Sequence, residues 1–185
     1  LALGVIYGLS EQHEAAFEAF VAIRDRARDL SLPVIEGAAD CNLGRICCDQ
    51  KRFAEGRGFL NAALKKIDET GLMEHRASVL HELGRIELRE GFLESAEALL
   101  KDAVSIMEAL KGQFSYEVMI SLGDLYTQSS RYPLAQEYLD KALYVSRENG
   151  IRHGETQALY FLGSLHNALG DNDLARHLWR TSRLD

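Results

Sequence analysis

Apolar residues recur along this chain at helical spacing, and the pattern itself recurs at a fixed step. Val79, Leu83 and Ile86 stand at i, i+4 and i+7, one face of an α-helix. The dipeptide Leu-Gly returns as Leu3-Gly4, Leu43-Gly44, Leu83-Gly84, Leu122-Gly123 and Leu162-Gly163, at steps of 40, 40, 39 and 39 residues. Twelve residues after each Gly stands a small residue: Ala16, Gly56, Ala96, Ala135 or Ala175. Four further on is a large apolar one: Phe20, Leu60, Leu100, Leu139 or Trp179. Two after each Gly is Ile6, Ile46, Ile86, Leu125 or Leu165. A period of this length is the mark of a repeat architecture.

The offsets have a physical reading. A Gly beside the Leu leaves room for a second helix to approach, and the small residue of the second half does the same from the other side. The large residue four later fills the space between them. Each unit is therefore a helical hairpin, helix A followed by helix B. Gly inside a helix costs roughly 0.5–1 kcal/mol relative to Ala, so close packing must outweigh that cost at each copy. Helix A is expected near 35–50, 74–90, 114–129 and 153–169, with a first copy cut to Leu1–Leu9. Helix B is expected near 11–30, 53–69, 93–110, 132–149 and 172–183. Ser31, Gly71, Gly112 and Gly150 stand where B helices end and a left-handed C′ residue is wanted. No segment alternates with period two long enough for a strand, so the predicted class is all-α.

Leu122, Gly123, Tyr126, Ala135, Leu139 and Ala142 follow the order of a tetratricopeptide repeat, and the chain resembles that family throughout. Leu83, Gly84, Ala96, Leu100 and Ala103 follow it too, with Glu87 in place of the aromatic. The units run 39–40 residues rather than the family's usual 34, and Asp40 stands where a large apolar residue is common. Longer units of this kind are similar to arrays in bacterial regulatory and signalling proteins. The resemblance implies an α-α superhelix, a right-handed solenoid of about five hairpins. The expected organisation is one solenoid over 1–185, with units at 1–31 (truncated), 32–71, 72–112, 113–150 and 151–185. Solenoid ends need polar caps, and Leu174, Leu178 and Trp179 in the last helix B are apolar. The expectation is a fragment of a longer protein, or an end covered by self-association.

Composition narrows the partners. Lys plus Arg is 21 and Asp plus Glu is 28 in 185 residues, a net charge of −7 that opposes phosphate contact. No apolar run approaches the ~20 residues that span a bilayer. Direct nucleic-acid or membrane binding is therefore not expected. Cys41, Cys47 and Cys48 form no disulfide framework. Read as reduced thiols filling a helix face, they point to the cytoplasm.

The sequence carries no phosphate loop, no dinucleotide glycines and no close histidine pair. Asp171 and Asp173 flank a turn and are read as N-caps of the last helix rather than calcium ligands. The chain is expected to be no enzyme, with no cofactor and no metal. In the family, stacked A helices line a concave groove. Carried over by register, the groove residues are Asn42, Arg45, Asp49, His81, Arg85, Arg89, Asp124, Gln128, Tyr160 and Asn167. Arg45, Arg85 and Arg89 with Asn42 and His81 make a basic patch in an acidic protein. Arginine forks suit carboxylates, so the expected ligand is a protein or peptide, acidic or with a free C-terminal carboxylate. The competing reading pairs Arg45 with Asp49, and Arg85 with Glu82 or Glu90, as solvated ion pairs on the helix face. The leading function is a non-catalytic interaction module, part of a larger regulatory protein. The alternatives are a ligand- or peptide-sensing region of a transcription regulator or signalling ATPase, and a self-associating scaffold forming a homo-oligomer through its ends.

Overall fold

The turns set the frame. In the computed structural model, which describes residues 2–71, 73–110 and 116–183 (side chains from residue 13, without Glu74), seven of the turns that follow a helix place one residue at positive φ. These are Ser31, Lys51, Gly71, Gly91, Ser130, Gly150 and Gly170. The next amide then reaches back five residues: Arg52 N donates to Cys47 O at 2.8 Å, Arg131 N to Tyr126 O at 2.8 Å and Ile151 N to Ser146 O at 2.8 Å. That bond satisfies a helix-end carbonyl and reverses the chain within three residues. The expected stops at Ser31, Gly71 and Gly150 are in place, whereas Gly112 lies outside the described residues. Nine helices and no strand occur among the described residues.

The chain divides into two compact units, Leu1–Glu90 and Gly91–Asp185. The first holds α1 (Ala2–Asp29), α2 (Pro33–Asp49), α3 (Phe53–Thr70) and α4 (Met73–Glu90). Here α1 packs on α2, α2 on α3 and α4, and α3 on α4. The second holds α5 (Leu93–Ala109), α6 (Tyr116–Gln128), α7 (Tyr132–Glu148), α8 (Arg152–Ala168) and α9 (Asn172–Thr181). In it α6 packs on α5, α7 and α8, α7 on α8, and α8 on α9. The A helices of each unit are thus direct neighbours, α2 beside α4 and α6 beside α8.

One element departs from expectation. The helices expected at Leu1–Leu9 and 11–30 are a single helix, α1, with no break near Ser10. In the later repeats the residue seven after the Leu-Gly glycine takes positive φ: Lys51, Gly91, Ser130 and Gly170. The corresponding residue is Glu11, flanked by Ser10 and Gln12. No residue there favours the left-handed region, and Glu is a good helix former, so the helix continues. The helix α2 also begins earlier than expected, at Pro33, whose fixed φ suits a first helical position.

The predicted small-to-large packing forms the core of the hairpins α2–α3, α6–α7 and α8–α9. A Cβ on Gly44 would lie 2.5 Å from Leu60 Cγ, and one on Gly163 would lie 2.6 Å from the Trp179 ring. Gly123 meets Leu139 in the same way. Leu43, Leu60, Leu122, Leu139 and Leu165 are completely buried. In the second unit Tyr126 is buried too, its hydroxyl donating to Glu97 Oε1 at 3.2 Å while the Arg131 guanidinium covers its ring at 4.5 Å. Asp40, at a position where the family usually has a large apolar side chain, is buried with Oδ2 accepting from Lys66 Nζ at 2.8 Å. A buried carboxylate persists only with such a partner.

Candidate functional site

The A-helix neighbours α2 and α4 bring six of the groove residues together: Asn42, Arg45 and Asp49 from one, His81, Arg85 and Arg89 from the other. The cluster is organised by a residue absent from that set, Glu82. Its side chain is buried, and burial pushes its carboxyl above the usual glutamate range against the lowering pull of Arg85 and then Arg45. Arg85 donates from Nη1 to Glu82 Oε2 at 2.7 Å and from Nη2 to Asp49 Oδ1 at 2.7 Å. Burial works against the Arg85 charge, yet the two carboxylates more than restore it, so its pKa lies above the ordinary arginine value. Glu82, Arg85 and Asp49 therefore form a bridge that ties α4 to α2.

Of the expected ion pairs, Arg85 with Glu82 is present and Arg45 with Asp49 is not. Asp49 does not serve Arg45. A basic residue four positions before an acidic one is the poorer orientation on a helix. Arg85 reaches Asp49 from the next helix while already held by Glu82. Arg45 is left exposed, donating from Nη2 to Asn42 Oδ1 at 3.1 Å. Asn42 in turn donates from Nδ2 to Ala38 O at 2.9 Å, the bond that fixes its orientation. Arg89 is exposed one turn beyond Arg85, and neither it nor Arg45 has an ion-pair partner among the described residues. His81 is buried, its Nδ1 4.0 Å from Glu82 Oε1. The face thus offers two guanidinium groups without ion-pair partners among the described residues, beside a bridge of one guanidinium and two carboxylates.

The other four groove residues belong to the second unit. Gln128 donates from Nε2 to Asp124 Oδ1 at 3.1 Å on α6. Tyr160 and Asn167 lie two turns apart on α8, both exposed, with the Tyr160 ring edge-on to Phe161 at 5.4 Å between centroids. The Tyr160 carbonyl accepts from Trp179 Nε1 at 3.0 Å, which ties α9 to α8. Of the two turn aspartates, Asp171 caps α9 by accepting from Leu174 N at 3.2 Å, and Asp173 pairs instead with Arg176. The thiols are chemically quiet: burial pushes Cys41 up to about 12, and Cys47 and Cys48 up to about 11.

Glu82 is legible in the sequence as a partner of Arg85 three residues on, but not as the centre of the bridge. Its signal was a carboxylate at i, with Arg at i+3, on the buried stripe of an A helix. No helix of the described residues is long and apolar enough to cross a membrane.

Comparison with known proteins bears on the fold. The family profile described as Tetratricopeptide repeat matches residues 36–109 and 115–182. No curated protein sequence matches the chain. Among solved structures, BtubC (BKLC) from P. vanneervenii is similar over 95% of this chain and 74% of its own, at 22% identity and a TM-score of 0.72. Two structures of nearly identical TPR-like repeats, from a kinesin light chain candidate of Podosopora anserina, are also similar. Each covers 99% of this chain and 91% of its own, at 19% and 20% identity with TM-scores of 0.64 and 0.62. At such identities the likeness concerns the fold: an all-α superhelix of stacked hairpins.

Proposed function

The chain belongs to the tetratricopeptide repeat family, a fold that generally serves protein–protein interaction without catalysis, and from that premise we propose that the α2–α4 face binds a carboxylate-bearing segment of a partner protein. The observation that carries this reading is the pair of exposed, unpaired guanidinium groups of Arg45 and Arg89 beside the Glu82–Arg85–Asp49 bridge. The bridge ties α4 to α2 and occupies the Arg85 guanidinium with two carboxylates. Arg45 and Arg89 keep theirs for a ligand. A guanidinium fork matches a carboxylate in two parallel hydrogen bonds, and Asn42 sets the rotamer of Arg45 from one side. Asp124, Gln128, Tyr160 and Asn167 offer a second, amide- and tyrosine-rich lining on α6 and α8, suited to the backbone and apolar side chains of an extended peptide. Such a module acts by presenting or recruiting its partner within a larger regulatory protein.

The test is a peptide array with free and amidated C-termini, probed with the wild-type chain and with the double variant Arg45→Glu/Arg89→Glu. Selective capture of carboxylate-ended or acidic peptides, lost in the variant while its thermal melt is unchanged, is the expected result. Equal capture by both proteins would refute the reading. Arg85 is unsuitable for this purpose, because its removal leaves Glu82 buried without its partner and disturbs the fold.

A further inference from the structure

The two carboxylates that hold Arg85 are not equivalent. Glu82 grips the guanidinium from three residues away on α4 itself, with a side chain only 9% exposed. Asp49 reaches it from α2 with a side chain 33% exposed. Glu82 cannot let go without stranding a buried charge, whereas Asp49 can turn into water at little cost, as rim ion pairs do. Asp49 is also an awkward choice for its own helix. It is the last residue of α2, where the helix dipole disfavours a negative charge, and the last turn carries no basic residue to offset it. What Asp49 gains, it gains from Arg85.

Its place on the face matters as much. Residues four apart share one side of a helix. Arg45 and Asp49 are so related on α2, Arg85 and Arg89 on α4, and the 2.7 Å contact of Asp49 Oδ1 with Arg85 Nη2 joins the two pairs. Each exposed guanidinium, Arg45 and Arg89, therefore stands one helical turn from that contact. A carboxylate of the chain itself already sits on the arginine between them.

We infer that Asp49 is an internal competitor for the carboxylate ligand: the ligand displaces it from Arg85, takes over Nη2, and leaves the Glu82 arm in place. The inference rests on the reading of the α2–α4 face given above. One ion pair is exchanged for another, so the contact sets a threshold. Asp49 is tethered beside Arg85 at high local concentration, and a weakly charged segment loses to it. A segment dense in carboxylates wins, because it also engages Arg45 and Arg89. Selectivity for strongly acidic segments is built into the chain by a like charge placed against the others.

The probe is a labelled hexa-aspartate with a free C-terminus, titrated into the full chain at low ionic strength and followed by fluorescence anisotropy. Asp49→Asn is expected to tighten binding about threefold or more, while its thermal melt stays at or below that of the wild type. Glu90→Gln removes a negative charge from the same unit, from a carboxylate that pairs with Arg57 rather than Arg85, and is expected to bring no such gain. In a Glu82→Gln/Arg85→Gln background, which removes both bridge charges of α4 together, Asp49→Asn is expected to bring none either. Binding unchanged or weakened by Asp49→Asn would overturn the inference. So would an equal gain from Glu90→Gln or in the neutralised background, since the effect would then be long-range repulsion. Binding that survives Arg45→Glu/Arg89→Glu, or that is absent from wild type and Asp49→Asn alike, would refute the reading of the face itself and the inference with it.

Discussion

Replacing glycine by alanine at two positions of one helical hairpin, Gly44 in α2 and Gly58 in α3, tests the packing argument with opposite signs. In an exposed helix interior the change stabilises by about 0.5–1 kcal/mol, because the backbone loses less freedom on folding. Gly58 is such a site, since a Cβ there would meet nothing within 4 Å. At Gly44 the new Cβ would lie 2.5 Å from Leu60 Cγ, 2.7 Å from Leu60 Cδ2 and 3.2 Å from the Gly56 carbonyl oxygen. Carbon atoms pack at about 3.5–4 Å, so α2 and α3 must separate by about 1 Å or Leu60 must leave its rotamer. Leu60 is completely buried and has nowhere to go. Overpacking of this kind costs about 1–3 kcal/mol, from which the helical gain of about 0.5–1 kcal/mol is subtracted. The expected net effect of Gly44→Ala is a loss of about 1–2 kcal/mol, against a gain of up to about 1 kcal/mol for Gly58→Ala. Urea unfolding followed by circular dichroism at 222 nm measures both, with the m-value held as the check that the same surface is exposed. Shortening Leu60 in the Gly44→Ala background should make the double variant less damaging than the sum of its parts. If both alanine variants stabilise the chain equally, the Leu-Gly glycine is not a packing device and the hairpin argument fails.

Other outcomes follow from single groups. Ser146 is completely buried and its Oγ has no hydrogen-bond partner among the described residues, so Ser146→Ala should stabilise by about 1 kcal/mol in the same urea titration. Glu97 accepts from Lys101 and Arg131, and these bonds hold its carboxyl below the ordinary glutamate value of 4.5. A lowered folded pKa contributes stability above the unfolded value, lost as pH falls through the folded one. The stability gap between wild type and Glu97→Gln should therefore be full at neutral pH and close below about pH 4.5; a gap independent of pH would contradict this. With the thiols of Cys41, Cys47 and Cys48 pushed up to about 12, 11 and 11 by burial, a disulfide dye at pH 8 should react slowly with the native chain and rapidly after unfolding.

Much of the fold is legible in the sequence because it is written as local periodicity. Helical spacing, a Gly and a small residue twelve apart, and a large residue four later specify a hairpin without reference to anything distant. Gly44 against Leu60 and Gly163 against Trp179 are sequence-level pairings that the structure realises. Turn positions follow equally well, since left-handed residues recur in register even where Lys51 and Ser130 replace Gly. What depended on tertiary structure is the choice among partners that the sequence leaves open. The α1 helix runs through Ser10 because no residue there stops it, although the repeat register asks for a turn. Asp49 goes to Arg85 rather than Arg45 because α4 lies against α2, and only that neighbour offers the better-oriented guanidinium. Asp40 can be charged and buried because Lys66 crosses from α3 to meet it, a contact 26 residues away. Spacing along one helix determines which side chains share a face; which of them remain free for a ligand is decided by the helix packed beside it.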